Sequence, residues 1–258
     1  MKVLIIGDVV GQGGCDYLRQ TLPQLKREYG AELTIVNGEN SAEGNGITPQ
    51  SAAAIFDSGA DVITTGNHVL RRREVYDLLD KGEAILRPAN LHREAPGVGS
   101  YLWERGRLQV QIINLLGTVY LDSLENPFDV MERLLEQTET PLVIVDFHAE
   151  ATAEKIAFAR YFDGRVSLIV GTHTHVQTAD ETVFPGGTGY ITDLGMCGGV
   201  ESVLGVKIPL AVQRLRTKLP VRFENAGGPM KLNGVYAEID ERTGKALAIR
   251  RIALSQPV

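Results

Sequence analysis

SLIVGTHTH, residues 167–175, carries a short apolar run straight into a glycine and two histidines. An apolar run of that length without alternation fits a strand buried on both faces of a sheet. The pattern recurs in KVLIIGD (2–8), LTIVNGEN (33–40), DVITTGNH (61–68), VQIINLLG (110–117), PLVIVDFH (141–148) and GYITDLG (189–195). Helical stretches lie between several of these runs. Residues 16–29 place Leu18, Leu22, Leu25 and Tyr29 at steps of three and four, with Pro23 expected to kink or split the helix. Thr48-Pro49 opens a helix over 49–58 that stops at Gly59, and Asn126-Pro127 opens another over 127–138. Residues 71–81 and 151–162 are also expected to be helical. After about residue 205 the texture changes, and KLNGVYAEID, ERTGK and ALAIRRIAL predict an antiparallel hairpin. With no linker, repeat or low-complexity tract, residues 1–258 read as one α/β domain with a partly antiparallel second sheet.

The formal charge of −6 argues against stable binding of long nucleic acid. A small phosphorylated substrate remains compatible, because bound cations reverse the local field. No apolar run approaches the ~20 residues of a membrane span. The N-terminal MKVLIIGDVVGQGG is interrupted by Asp8 and reads as a buried strand rather than a signal peptide, so a cytoplasmic protein is expected. Cys15 and Cys197 form neither a disulfide framework nor a CxxC pair, and are expected to be free, buried thiols. Gly11, Gly13 and Gly14 do not make the dinucleotide fingerprint, and no P-loop pattern occurs.

In α/β sheets, ligands gather where loops leave the carboxyl ends of the strands. Those ends hold Asp8, Glu39-Asn40, Asn67-His68, His148, His173 and His175, so four of the five histidines are strand-end residues and only His92 is not. Singly, each has an ordinary role: Asp or Asn after a strand makes a turn or a cap, and a lone histidine is a hydrogen-bonded structural residue. Their conjunction points to metal. No closed cysteine site exists, which argues against structural zinc, and mixed nitrogen and oxygen donors suit Fe, Mn, Zn or Co better than Mg or Ca. Seven candidate ligands, Asp8, Glu39, Asn40, Asn67, His148, His173 and His175, are too many for one open catalytic ion. They suffice for two with a bridging carboxylate. Two divalent cations against the two carboxylates leave positive charge for a bridging hydroxide and an anionic phosphate. If His173-Thr174-His175 is extended, its two imidazoles share a face.

Gly7-Asp8, Gly38–Asn40, Gly66–His68, His148 and Gly171–His175, in that order, resemble the blocks of calcineurin-like metallophosphoesterases. The likeness is greater to the YmdB-like family of cyclic-nucleotide phosphodiesterases. It extends through IGDVVG, VNGEN, TGNH, LRPAN, DFHAEAT, VGTHTHVQTAD, YITDLGM and LPVRF. The resemblance implies a four-layer α/β/β/α sandwich with two mixed sheets, two metal ions (Fe or Mn first, Zn or Co compatible) and a homo-oligomer. It implies hydrolysis of small phosphodiesters, 2′,3′-cyclic or 3′,5′-cyclic nucleotides, by a metal-bridging hydroxide. One metal would take Asp8, Glu39, Asn40 and His175; the other would take Glu39, Asn67, His148 and His173. His68 would protonate the leaving oxygen, the position where histidine chemistry is most useful near neutral pH.

Three positions depart from the wider pattern. Val10 stands where the superfamily has a histidine, and Glu39-Asn40 where it usually has Asp, with Asn40 taken to fill the vacancy. Val69-Leu70 replace a Trp-Asp-like stretch, which leaves the substrate contacts of that rim unassigned. Arg71-Arg72-Arg73 suits either phosphate attraction or a solvated face, and Gly44-Asn45-Gly46 reads as a flexible loop near the metals. Two other functions fit the same residues. One is a phosphomonoesterase or nucleotidase on the same metals. The other is a regulatory protein acting through a partner in RNA turnover or signalling.

Overall fold

The computed structural model of the chain describes residues 1–82 and 84–257. Its first half runs β1 (Lys2–Ile6), β2 (Asp8–Val9), α1 (Gly11–Tyr29), β3 (Leu33–Asn37), α2 (Pro49–Asp57), β4 (Val62–Thr64), α3 (Tyr76–Asp80), β5 (Ser100–Arg105) and β6 (Leu108–Leu116). The second half runs α4 (Pro127–Glu136), β7 (Val143–His148), α5 (Thr152–Tyr161), β8 (Leu168–Thr172), β9 (Thr182–Val183), β10 (Gly189–Ile191), β11 (Met196–Gly199), α6 (Ile208–Thr217), β12 (Met230–Ile239) and β13 (Ala246–Ser255).

These strands form two mixed sheets. One is ordered β2-β11-β12-β1-β3-β4, with β13 on the other edge of β12. The second is ordered β5-β6-β7-β8-β10-β9, parallel at its centre and antiparallel at both edges. In β1, Val3 and Ile5 face the second sheet, where they join Ile112, Ile144, Leu168 and Val170 in one apolar cluster. The alternate residues Leu4 and Ile6 face outward onto Leu18, Leu22 and Leu25 of α1 and Ile55 of α2. On the far side, Ile113, Val145, Phe147 and Ile169 pack against Val130 and Met131 of α4 and Phe158 of α5. Both faces of each central strand are therefore covered, which explains the unbroken apolar runs. The result is the expected α/β/β/α sandwich.

Thr48 caps α2 through a capping box with Ser51, and Asn126 caps α4 by accepting from the Phe128 amide. The predicted hairpin is β12–β13. Other expectations need correction. Helix α1 starts at Gly11 and is not split at Pro23; the Arg19 carbonyl that loses its donor belongs to an exposed residue. Over 71–81 only Tyr76–Asp80 is α-helical, after two short 3-10 turns at Val69–Arg71 and Arg73–Val75. Strands β5 and β11 and helix α6 were not expected. In α6 only Ala211 is buried, so no apolar stripe announces a core-facing helix.

Candidate metal centre

The carboxyl ends of adjacent parallel strands from both sheets meet at one place. Asp8 follows β1, Glu39 and Asn40 follow β3, and Asn67 and His68 follow β4. From the second sheet, His148 closes β7, while His173 and His175 follow β8. Asp8, Glu39, Asn40 and His148 are buried. Gly66 has to be glycine here, since a Cβ on it would collide with Glu39 Oε2 and His148 Nε2.

The three histidines are held in defined tautomers. The Thr172 hydroxyl donates to Asp146 Oδ1 at 2.6 Å and lies 2.9 Å from His148 Nδ1, so Nδ1 carries the proton and Nε2 presents its lone pair. His175 Nδ1 lies 2.9 Å from the Leu204 carbonyl, which only accepts, leaving Nε2 as the free donor atom. His173 Nε2 lies 3.0 Å from Glu150 Oε2, which leaves Nδ1. The freed lone pairs all point into the cluster. His148 Nε2 has three neighbours at 3.0–3.1 Å: His173 Nδ1, Asn67 Oδ1 and Glu39 Oε1. One proton on Nε2 cannot serve all three. His175 Nε2 lies 3.6 Å from Asp8 Oδ1, a buried oxygen that accepts no hydrogen bond among the described residues. An orphaned carboxylate oxygen and converging imidazole lone pairs are what a cation site demands. Glu39, His148 and His173 each offer one donor atom, all within 4.8 Å of one another.

Electrostatics point the same way. Burial would raise the Asp8 carboxyl, but the charges of His175 and His148 outweigh it and hold Asp8 below the usual range. Burial of Glu39 is likewise overcome by His148 and His68, and its carboxyl sits well below the usual range. Burial would depress His148, yet Glu39, Asp8 and Asp146 carry it up to about 9. The two carboxylates thus stay ionised and raise the imidazoles of His148 and His175, whereas burial and the charge of His148 lower that of His173; a cation would supply the positive charge in place of those protons and free the Nε2 lone pairs.

His68 sits at the edge of this group. Its amide donates to Glu39 Oε2 at 3.1 Å, and its Nδ1 lies 3.2 Å from Asn40 Oδ1 and 3.3 Å from Glu39 Oε1. Asn40 Nδ2 faces Glu39 Oε1 at 3.0 Å and His175 Nε2 at 3.2 Å. Turning that amide over would direct its oxygen toward the cluster and its nitrogen toward His68.

The sequence expectation for the His173–His175 segment is not met in one respect. His173 has φ 102° and His175 φ 62°, so the segment is not extended and the imidazoles do not converge by strand alternation. The chain bends because its backbone is claimed on both sides: the His173 amide donates to Asp8 Oδ2 at 3.3 Å, and the Thr174 amide to Asp193 Oδ2 at 3.1 Å. Nor is the Gly44–Gly46 loop free, because Arg72 bonds the Asn45 carbonyl at 3.1 Å and that of Glu43. Arg72 is therefore occupied, while Arg71 and Arg73 are exposed. The residues that orient the ligands were not read from the sequence: Thr172, Asp146, Glu150, Asp193 and Lys155. Asp146 carried a usable signal, being a lone carboxylate in an apolar run two residues before His148, hence on the same strand face.

A family model described as "YmdB-like protein" matches residues 4–252. The chain belongs to the YmdB-like family. It is 44% identical over 258 residues to the 2′,3′-cyclic-nucleotide 2′-phosphodiesterase of Bacillus subtilis, covering 99% of this chain and 97% of that protein. A crystal structure from Thermus thermophilus of a protein described as hypothetical superposes with a TM-score of 0.95 at 37% identity, covering all of both chains. One from Mycoplasma pneumoniae, described as a novel phosphatase, gives 0.94 at 36% identity, covering 99% of this chain and 93% of that one. As in its sequence, the two cysteines are free and buried, and no helix among the described residues is long and apolar enough to cross a membrane.

Proposed function

We propose that this family member is a metal-dependent phosphoric diester hydrolase acting on 2′,3′-cyclic nucleotides, with 3′,5′-cyclic nucleotides as a second substrate class. The observation that carries the proposal is the set of imidazole lone pairs turned onto two buried carboxylates, Asp8 and Glu39. The activity named for the Bacillus subtilis relative supports the substrate class.

Asp8, Glu39, Asn40 and His175 would hold one cation, and Glu39, Asn67, His148 and His173 the other. Fe or Mn is the first choice, with Zn or Co also suited to these donors. The bound pair supplies Lewis acidity that activates water and neutralises the phosphodiester charge. The chain's own groups do the rest. Thr172, Glu150 and the Leu204 carbonyl keep the imidazoles in the ligating tautomer. His68 has its Nδ1 3.3 Å from Glu39 Oε1, so its imidazolium form would offer the Nε2 proton to the departing ribose oxygen.

The test combines metal analysis of purified protein with turnover of 2′,3′-cyclic AMP, 3′,5′-cyclic AMP, and the mono- and bis-nitrophenyl phosphates. About two cations per chain and release from the diesters are expected. Hydrolysis of the monoester alone would overturn the diesterase reading in favour of a phosphomonoesterase. The same reading treats residues 1–258 as one domain, supported by the apolar cluster shared between the sheets. A homo-oligomer and a cytoplasmic site of action are part of it; light scattering and cell fractionation test them.

A further inference from the structure

The LPVRF stretch at 219–223 takes no part in the metal cluster. Its Arg222 and Phe223, with Glu43, Asn45, Arg72 and Asn225 among others, line a cavity of about 660 Å³. The walls are continuous with the segments that carry the cluster. Glu43 and Asn45 lie in the loop leaving Asn40, and Arg72 lies in the segment leaving His68. Asn225 packs on Gly11, whose amide donates to the Asn40 carbonyl at 2.9 Å. The turn at Leu204, which bonds His175, continues into Val206 on the cavity wall.

We propose that this cavity is the nucleobase subsite of the enzyme, a proposal that rests on the phosphodiesterase reading above. Its volume is in the range of small-molecule sites. Its lining is mixed in charge, with Arg72 and Arg222 beside Glu43 and Glu224, and Glu224 is already paired with Lys207 at 2.7 Å. Phe223 is 43% exposed and offers a ring face on which a base can stack. Asn45 supplies an amide for the edge of a base, and Asn225, whose Nδ2 faces Glu43 Oε2 at 3.4 Å, keeps its amide oxygen for the same use. Arg72 pins the Glu43–Asn45 wall through two carbonyls, so that wall is formed before a ligand arrives. In a 2′,3′-cyclic nucleotide only the sugar separates base from phosphorus, and the walls of this cavity belong to the segments that leave Asn40 and His68.

Adenosine, which has no phosphate, tests the subsite apart from the metals. Calorimetric titration should detect adenosine binding to wild-type protein with and without metal. Phe223→Ala should weaken it at least about fivefold, the low end for losing one base–aromatic stack, and Phe223→Tyr should retain it. Metal content should match wild type in both variants, and the KM for 2′,3′-cyclic AMP should rise in Phe223→Ala by a similar factor. If Phe223→Ala does not fold, Phe223→Leu, which lacks the ring face, carries the same expectation. Absent adenosine binding, or equal binding by wild type and the alanine or leucine variant, overturns the subsite even when turnover is normal. Phe223-dependent adenosine binding without cyclic-nucleotide hydrolysis would instead leave the subsite standing and refute the phosphodiesterase reading.

Discussion

Lys155 Nζ lies 2.8 Å from Asp193 Oδ2, with both side chains 1% exposed, and it also donates to the Thr172 carbonyl at 2.8 Å. The same Asp193 oxygen accepts from the Thr174 amide at 3.1 Å. One buried ion pair therefore grips the backbone on both sides of His173, where φ is 102°. Removing one partner of such a pair leaves an uncompensated buried charge and costs about 3–5 kcal/mol. Lys155→Met should lose that much stability in urea denaturation. The double variant Lys155→Met with Asp193→Leu should recover most of the stability, because an apolar pair replaces the ions. It should still release metal to chelators that wild type withstands, since Thr172 and Thr174 have lost their anchor. Wild-type metal retention by the double variant would count against a positioning role.

His68 touches the cluster without presenting a lone pair to it. His68→Ala should therefore keep full metal content while turnover of cyclic nucleotides falls about 10²–10⁴-fold. The loss should be much smaller with bis-nitrophenyl phosphate, whose leaving group needs no proton. Equal losses on both substrates would assign His68 to phosphate binding instead.

Thr172 relays Asp146 to His148, and its hydroxyl is the group that fixes the His148 tautomer. Thr172→Val preserves shape and removes that relay. Metal affinity should drop about 10–100-fold, the usual effect of removing a group that orients a ligand. Competition with a metal-sensitive dye measures it directly. An unchanged affinity would mean that the fold alone orients the ring.

Several buried acids make the protein sensitive to alkali. Burial pushes the Cys15 thiol up to about 11 and Cys197 higher still, and burial carries the Tyr190 hydroxyl up to about 12. Their stabilising contribution is complete below the unfolded thiol value of 9.0 and is lost as pH rises toward the folded values, because the unfolded chain releases protons that the native chain keeps. Urea midpoints should fall progressively above about pH 9. At pH 8 neither thiol should react with a disulfide reagent until the protein unfolds. Rapid labelling of the native protein at that pH would contradict this.

The parts of this protein that follow from short-range rules could be read in advance. Strand runs such as KVLIIGD and caps such as Thr48 and Asn126 depend on neighbours within a few residues, as does the rule that ligands follow strand ends. The orienting groups could not be read that way. Lys155 finds Asp193 across 38 residues, and Asn37 finds Asp146 across 109, so only the packed sheets bring them together. The bend at His173 and His175 escaped for the same reason: the forces that turn it come from Asp8 and Asp193, not from its own side chains. Helix α6 escaped because almost all of it faces outward.

Strand β12 has a consequence for how the protein is made. Its residues 234–238 pair with β1 and its residues 230–232 with β11, so the first strand acquires its second neighbour only when nearly the whole chain exists. Long-range pairings of this kind form slowly and late. Asp8 leaves the ribosome long before His148, His173 and His175, and it cannot meet those three until the two sheets have closed on each other. A growing chain therefore offers passing metal ions partial sets of donors instead of the whole cluster. For the proposed centre, metal capture would therefore be an event of the folded polypeptide.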